Sequence, residues 1–334
     1  MSLRRTLAVS RRLLEQFRRD RRTLALLFVV PLVILALLGY LLRGSATAPK
    51  LALVGDCGPL HPSAAVTVVH LDRAAADSQL ASGEIAGFVL CQLPPEVHLE
   101  GSQPNESATV LQALASPSAV KPRIFYLYGG PSFDTLDYFG AGFVGLVVFF
   151  LVYVVTSVAF LRERSSGTLE RLLASPLRRG EIVVGYMLAF TAVALVQSAV
   201  VLLFSLYALR ITIEGNVGVV FLFEALLALS AVNAGILLSG FARTEFQAVQ
   251  FIPLVIVPQM LLSGIVFPIA TEPGPLQPIS NVLPLTYGVY GLRDVMIKGA
   301  GLGSSGVLLD LGVVAAFAVA LVAAAGATLR RRIA

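Results

Sequence analysis

Leu161–Gly185, LRERSSGTLERLLASPLRRGEIVVG, is a polar, arginine-rich island between two long apolar runs, Tyr138–Leu161 before it and Ile182–Leu209 after it. About 20 apolar residues, rising 1.5 Å each as a helix, cross the hydrocarbon of a bilayer. Both runs reach that length, so the island reads as a short loop on one membrane face. Gly167 breaks the chain, and Thr168 stands where a side chain can cap the next helical turn. Glu170 falls in that first turn, where a carboxylate complements the helix dipole. Leu169, Leu172 and Leu173 share one helical face, and Pro176 ends the helix. A short capped helix with a leucine face and a Glu/Arg rim, held between two spans, suits pushing on another protein. A plain solvated loop fits the same features.

Outward from the island the pattern repeats. With 56% hydrophobic and 13% charged among 334 residues, against about 25% charged in soluble globular chains, the chain reads as a polytopic α-helical membrane protein. Six transmembrane helices are expected, near 23–42, 138–161, 182–209, 217–241, 246–268 and 307–329. The first is too long, and lacks the small-residue cleavage pattern, for a removed signal peptide. An even number of spans puts both termini on one side. That side holds 17 of the 25 Lys and Arg, including eight arginines before the first span, five in 162–181 and Arg330–Arg332; the opposite side holds 13 of the 20 acids. Lysine and arginine in short flanks mark the inner face, so both termini are expected in the cytoplasm of a multi-pass cell-membrane protein.

Residues 1–22 carry Leu3, Leu7, Leu14 and Phe17 on one helical face with arginines around it. That is the form of a cytoplasmic amphipathic interfacial helix lying against anionic lipid. Residues 43–137 differ in kind. Short apolar strands at Lys50–Asp56, Val66–Leu71, Ile85–Cys91 and Glu96–Glu100 alternate with helical stretches at Asp72–Ser82 and Asn105–Ser116, which predicts a small extracytoplasmic α/β domain between the first and second spans. If the first and third of those strands pair in parallel, Cys57 and Cys91 lie just past the same end of neighbouring strands and form a disulfide candidate, permitted in an oxidising compartment. Two unrelated small residues is the other reading. Asn105-Glu-Ser has the glycosylation pattern, which carries meaning only in a eukaryotic source.

The second span has Gly140, Gly142 and Gly145 where backbones can approach. The fourth contains Glu224, a lone acid costly in hydrocarbon unless neutral, paired or near water. The fifth has Pro253, Pro258, Gln250 and Gln259, a kinked and partly polar span suited to lining a pathway. Residues 269–306, punctuated by four prolines, are expected to form two short helices at the outer interface or dipping into the membrane. The P-loop pattern, the nucleophile elbow and H-E-x-x-H are all missing from the sequence, and His61, His70 and His98 lack metal-ligand spacing with the cysteines. Neither an intramembrane enzyme nor a nucleic-acid binder is expected, and no metal site.

The basic N-terminal helix, the outer domain after span one, Arg162–Glu181 (RERSSGTLERLLASPLRRGE) and LPLTY…LRD…KG at Leu283–Gly299 together resemble the membrane subunits of type-2 ATP-binding-cassette (ABC) exporters. The resemblance runs nearly end to end, and the large outer domain is closer to the bacterial drug-exporter permeases than to the polysaccharide ones. It implies that 162–181 is a cytoplasmic coupling helix docking on a separate ATPase subunit, with Glu163, Arg164, Gly167, Thr168, Leu169, Glu170 and Leu172 as transmitters. It implies that ATP and Mg are bound by that partner, with no cofactor in this chain. A second permease copy, as a homodimer or a paired permease, is implied with it. A hydrophobic or amphiphilic substrate, drug or lipid, would pass between the second and fifth spans of the two halves, and Phe149, Tyr153, Glu224, Gln250 and Gln259 are the pathway candidates. The competing reading is a non-transport sensor or assembly protein whose outer α/β domain binds a ligand.

Overall fold

The computed structural model describes residues 2–42, 49–55, 57, 62, 65–92, 94–101, 104–114, 122–127, 135–242, 244–266, 269 and 272–332. The chain divides into two compact units, Met1–Leu37 with Ala141–Ala334, and Leu38–Gly140.

The first unit is helical. α1 (Leu3–Arg19) and α2 (Arg21–Leu42) are separated by Asp20, whose carboxylate accepts from the Thr23 N–H at 3.1 Å and the Thr23 hydroxyl at 2.6 Å, capping α2. Then come α5 (Thr135–Ser165), α6 (Thr168–Leu173), α7 (Arg179–Tyr207), α8 (Val217–Ser239), α9 (Glu245–Leu262), α10 (Gln277–Ser280), α11 (Pro284–Met296) and α12 (Ser305–Arg332). Among the described residues five helices are long and apolar enough to cross a membrane: Thr23–Tyr40, Leu136–Ser165, Gly180–Tyr207, Val217–Ser239 and Ser305–Thr328. This is a multi-pass helical membrane protein. The span expected at 246–268 is shorter than the sequence suggests. Its apolar helix is Val249–Leu262, and the chain leaves the helix at Ser263 and takes φ +76° at Gly264; Pro268 lies outside the described residues.

α8 is the hub. It packs on α7, α11 and α12, and the Tyr153–Ser157 turn of α5 approaches it at Gly235, where a Cβ would come within 3.0 Å of the Tyr153 carbonyl. Gly142 and Gly145 of α5 sit against Ile265 and Leu292 in the same way. Small residues at such crossings let helices gain close dispersion contacts where no hydrophobic effect drives them together. Arg293 of α11 is buried and donates to the carbonyls of Gly264 at 2.7 Å and Ile265 at 3.0 Å, satisfying backbone freed past the end of α9.

α1 has a packed face that the sequence did not show, and of the expected leucine face only Phe17 is buried. It buries Thr6, Val9, Ser10, Leu13 and Phe17 along α7, while Leu3, Leu7 and Leu14 are exposed. Close contact with α7 selects the small side chains: at Gly185 a Cβ would lie 2.8 Å from Val9 Cβ.

The second unit is a five-stranded sheet of order β2-β1-β3-β4-β5, with β1 (Lys50–Val54), β2 (Thr67–His70), β3 (Gly87–Leu90), β4 (Glu96–Leu99) and β5 (Arg123–Tyr126). β1 pairs in parallel with β2 and β3, β3 antiparallel with β4, and β4 in parallel with β5. Side chains alternate between faces along each strand. Leu51, Leu53, Val89, Val97 and Leu99 form one core with Val110 and Ala113 of α4 (Pro104–Ala113); Ala52, Phe88 and Leu90 form another with Ala76 and Leu80 of α3 (Arg73–Ala81). A disulfide joins Cys57 and Cys91, with Cα atoms 4.9 Å apart, beyond the ends of the parallel pair β1 and β3. β5 was not foreseen from the sequence. It is four residues long and mostly exposed, so it lacks the alternation by which strands are recognised.

Candidate coupling site

The island of the sequence is three elements. Arg162–Ser165 is the last turn of α5, Thr168–Leu173 is α6, and Arg179–Glu181 opens α7. The short helix expected between Gly167 and Pro176 is the six-residue α6, and the rest of the 162–181 coupling segment belongs to the end of α5, a connecting turn and the start of α7. The break follows from Gly167, which adopts φ +70°, open to glycine at little cost. Thr168 is not the cap. It is the first residue of α6, its hydroxyl pairs with that of Ser166 at 2.8 Å, and the Gly167 carbonyl takes the first helical bond, from Arg171 N at 3.2 Å. At the far end the Ser175 hydroxyl donates to the Leu172 carbonyl at 2.6 Å, with Pro176 next in the chain.

Two buried carboxylates hold the loop at its shoulders. Glu163 accepts from Gln16 Nε2 at 2.6 Å and from the Tyr186 hydroxyl at 2.8 Å, with the Arg12 guanidinium 3.7 Å away. It thereby joins α5, α1 and α7. Glu181 accepts from Ser2 N at 2.6 Å and from Arg178 N at 3.0 Å, the latter being one half of a capping box at the start of α7. A carboxylate removed from water is tolerated only when its lone pairs are taken up this way. Arg5 adds a bond to the Pro176 carbonyl at 3.1 Å. Arg164 turns to α8 and donates to the carbonyls of Ser239 at 2.8 Å and Gly240 at 3.4 Å; a guanidinium there complements both the orphan acceptors and the negative end of the helix dipole.

The seven transmitter candidates thus separate. Glu163 and Arg164 face inward as anchors, Gly167 and Thr168 make the turn, and Leu172 is half-buried on α6. The side chains of Leu169, Glu170 and Leu173 lie outside the described residues. Arg12, Gln16, Tyr186 and Glu181 belong to the site and were not singled out from the sequence. Glu181 alone had a local signal, as the acid three residues after Arg178.

The pathway candidates take separate places. Phe149 and Tyr153 are buried in α5, and the Tyr153 hydroxyl donates to the Phe251 carbonyl of α9 at 3.4 Å. Gln259 is buried; its side-chain oxygen accepts from Leu285 N at 3.3 Å, and its carbonyl accepts from the Ser263 hydroxyl. It ties α9 to α11. Gln250 is exposed. Glu224 is wholly buried in α8 with no hydrogen-bond partner for either carboxylate oxygen among the described residues.

Residues 101–297, more than half of the chain, match the family described as "ABC-2 type transporter". The chain is 34% identical over 197 residues to "ABC transporter G family member 20" of Dictyostelium discoideum, covering 59% of this chain and 27% of that one. It is 29% identical over 172 residues to "Probable multidrug ABC transporter permease YbhR" of Escherichia coli strain K12, covering 52% and 47%. With "Probable multidrug ABC transporter permease YbhS" of the same strain the likeness is 21% over 345 residues, covering 90% of each. The chain thus spans half or less of the first two relatives and nearly all of the third.

Proposed function

This chain belongs to the ABC-2 type transporter family, and from that premise we propose that it is the membrane-spanning permease subunit of an ATP-driven exporter. A separate ATP-binding subunit docks on α6 and binds ATP and Mg itself. The permease works as a pair, with a second copy of this chain as the simplest partner. It crosses the cell membrane six times, α9 and the residues after it completing the crossing that α9 alone leaves short, with both termini and α6 in the cytoplasm and the α/β unit outside. The substrate is a hydrophobic or amphiphilic drug or lipid moved outward. Two features support that class: the apolar character of α5 and α9, and the multidrug name of the relative that matches along 90% of its length.

One observation carries the reading. A six-residue helix is clamped at both shoulders by buried carboxylates that reach α1, α5 and α7. A load on α6 therefore moves long helices together instead of being absorbed by a slack loop. A ligand-driven switch works only if the two states differ in free energy of interaction, and the cycle of the ATP-binding subunit supplies that difference. The test is to express the tagged full chain together with the ABC ATP-binding subunits of its source organism. The expected result is co-purification and an ATPase rate in vesicles that rises with hydrophobic compounds. Glu170→Arg and Leu172→Asp are expected to abolish both while leaving the chain in the membrane. A chain that captures no ATP-binding subunit, or whose capture is indifferent to both substitutions, would sink the proposal and favour a sensor or assembly role.

A further inference from the structure

β5 (Arg123–Tyr126) is an outer strand of the α/β unit, last in the order β2-β1-β3-β4-β5. Its inner side is filled: Arg123 N donates to the Pro95 carbonyl and Leu127 N to the Leu99 carbonyl, each at 2.9 Å. Along a strand, residues that bond one neighbour alternate with residues that face the other way. Arg123, Phe125 and Leu127 therefore use their backbone on β4. Ile124 and Tyr126 turn N–H and C=O to the opposite side, where no strand pairs with them among the described residues. Both faces of this edge are apolar and open, with Ile124, Phe125 and Leu127 43%, 44% and 47% exposed. Natural edges are kept single by shortness, charge, proline or a bulge. β5 is short, yet its charge, Arg123, stands at one end and its middle is apolar.

On one face the rings of Phe88, His98 and Phe125 stack in a row across β3, β4 and β5. Their centroids are 4.7 and 4.9 Å apart and their planes 8° and 19° from parallel. The row keeps the spacing of the strands and stops at Phe125, beyond which no ring follows among the described residues. A second copy of the strand, laid antiparallel, completes all of this at once. Two-fold symmetry about Phe125 sets Ile124 of each protomer opposite Tyr126 of the other, and these exchange the outward backbone hydrogen bonds. Phe125 then meets Phe125 as a non-hydrogen-bonded pair, with Cα atoms about 4.5 Å apart, and the aromatic row runs on through both copies. Arg123 falls opposite Leu127, so no like charges oppose. A two-fold contact must be self-complementary in this way. We propose that the β5 edges of two copies of this chain pair, joining their α/β units through one continuous sheet. The inference rests on the reading of the permease as a pair of this chain. That reading sets both units on one side of one membrane, at an effective concentration of order millimolar.

The experiment puts two differently tagged copies of the full chain, native disulfide intact, in one membrane and oxidises with copper phenanthroline. Phe125→Cys brings two thiols to a Cα separation that a disulfide spans, whereas Leu127→Cys leaves them about 14 Å apart, beyond the roughly 7 Å limit. At least about tenfold more reducible dimer is expected from Phe125→Cys than from Leu127→Cys. Ile124→Pro removes an outward N–H and leaves the β4 ladder whole. It is expected to erase the Phe125→Cys dimer while the unit resists protease as before. Equal crosslinking at the two cysteines, or a Phe125→Cys dimer that survives Ile124→Pro, overturns the assignment. Should Ile124→Pro unfold the unit, the comparison of the two cysteines decides by itself. Pull-down of one tag by the other, without oxidation, separates this inference from the reading beneath it. Copies that co-purify but do not crosslink at Phe125→Cys overturn the β5 pairing alone. Copies that neither co-purify nor crosslink overturn the paired permease with it.

Discussion

Glu163 shows most clearly what one residue does here. Its two oxygens receive an amide, a phenol and a nearby guanidinium from α1 and α7. Glu163→Ala strands Gln16 and Tyr186 together with Arg12, and hydrogen bonds to a charged group contribute about 1.5–3 kcal/mol each. A loss of about 3 kcal/mol is expected, read as a lowered midpoint in SDS or thermal unfolding of the detergent-solubilised chain. Glu163→Gln keeps one acceptor oxygen for the Gln16 amide and can donate its own amide to the Tyr186 hydroxyl, losing the attraction to Arg12, so its cost is expected near ~1 kcal/mol. Equal costs for the two would show that the charge, and not the acceptor geometry, dominates. The sequence marked Glu163 and Arg164 by position in a motif but could not tell their direction. The partners lie 147 and 23 residues away for Glu163 and 75 for Arg164, and no local spacing encodes such pairs.

Among elements, α1 and α6 carry opposite lessons. α6 was legible because Gly167, Thr168 and Pro176 are local signals. What the sequence did not show is how far the long helices on either side run into the island, taking Arg162–Ser165 and Arg179–Glu181. α1 was legible as a helix with an unpacked leucine stripe, but its face on α7 was not foreseen. Its leucine periodicity marks an exposed stripe, whereas packing on α7 selected Thr6, Val9 and Ser10. Small side chains carry no hydropathy signal strong enough to compete with leucine. Gly185→Leu therefore tests the packing. With a Cβ only 2.8 Å from Val9 Cβ, α1 must move, at about 1–3 kcal/mol for overpacking. Trypsin cleavage within the arginine-rich α1 is expected to speed up in this variant while the later helices stay protected. Gly167→Val acts differently, forcing a β-branched residue into φ +70° at about 1–3 kcal/mol. It is expected to uncouple ATPase stimulation from substrate in the assembled complex, with α1 protected as before.

At the scale of the whole molecule, charge and sulfur give independent readings of orientation. Of the 25 Lys and Arg, 17 fall in the segments at the termini and in the loops after the second and fourth expected spans, which is the ground for proposing that those segments are cytoplasmic. The α/β unit lies between the first two spans and holds both cysteines of the chain, joined across a separation of 34 residues. Bonds of that kind form and persist in oxidising compartments, which supports the proposal that the unit lies on the opposite side. Closing a loop of this length is worth about 3–4 kcal/mol to a small domain by chain entropy, so the unit has a reason to keep it. Both arguments meet in one measurement on intact cells. In Cys57→Ser the freed Cys91 is expected to react with a membrane-impermeant maleimide without permeabilisation, and the unit is expected to be cut faster by external protease. A cysteine introduced as Ser2→Cys in the chain lacking both native cysteines is expected to stay unlabelled until the membrane is opened. Labelling of the Ser2→Cys chain from outside would reverse the orientation, and with it the side on which α6 could meet an ATP-binding subunit.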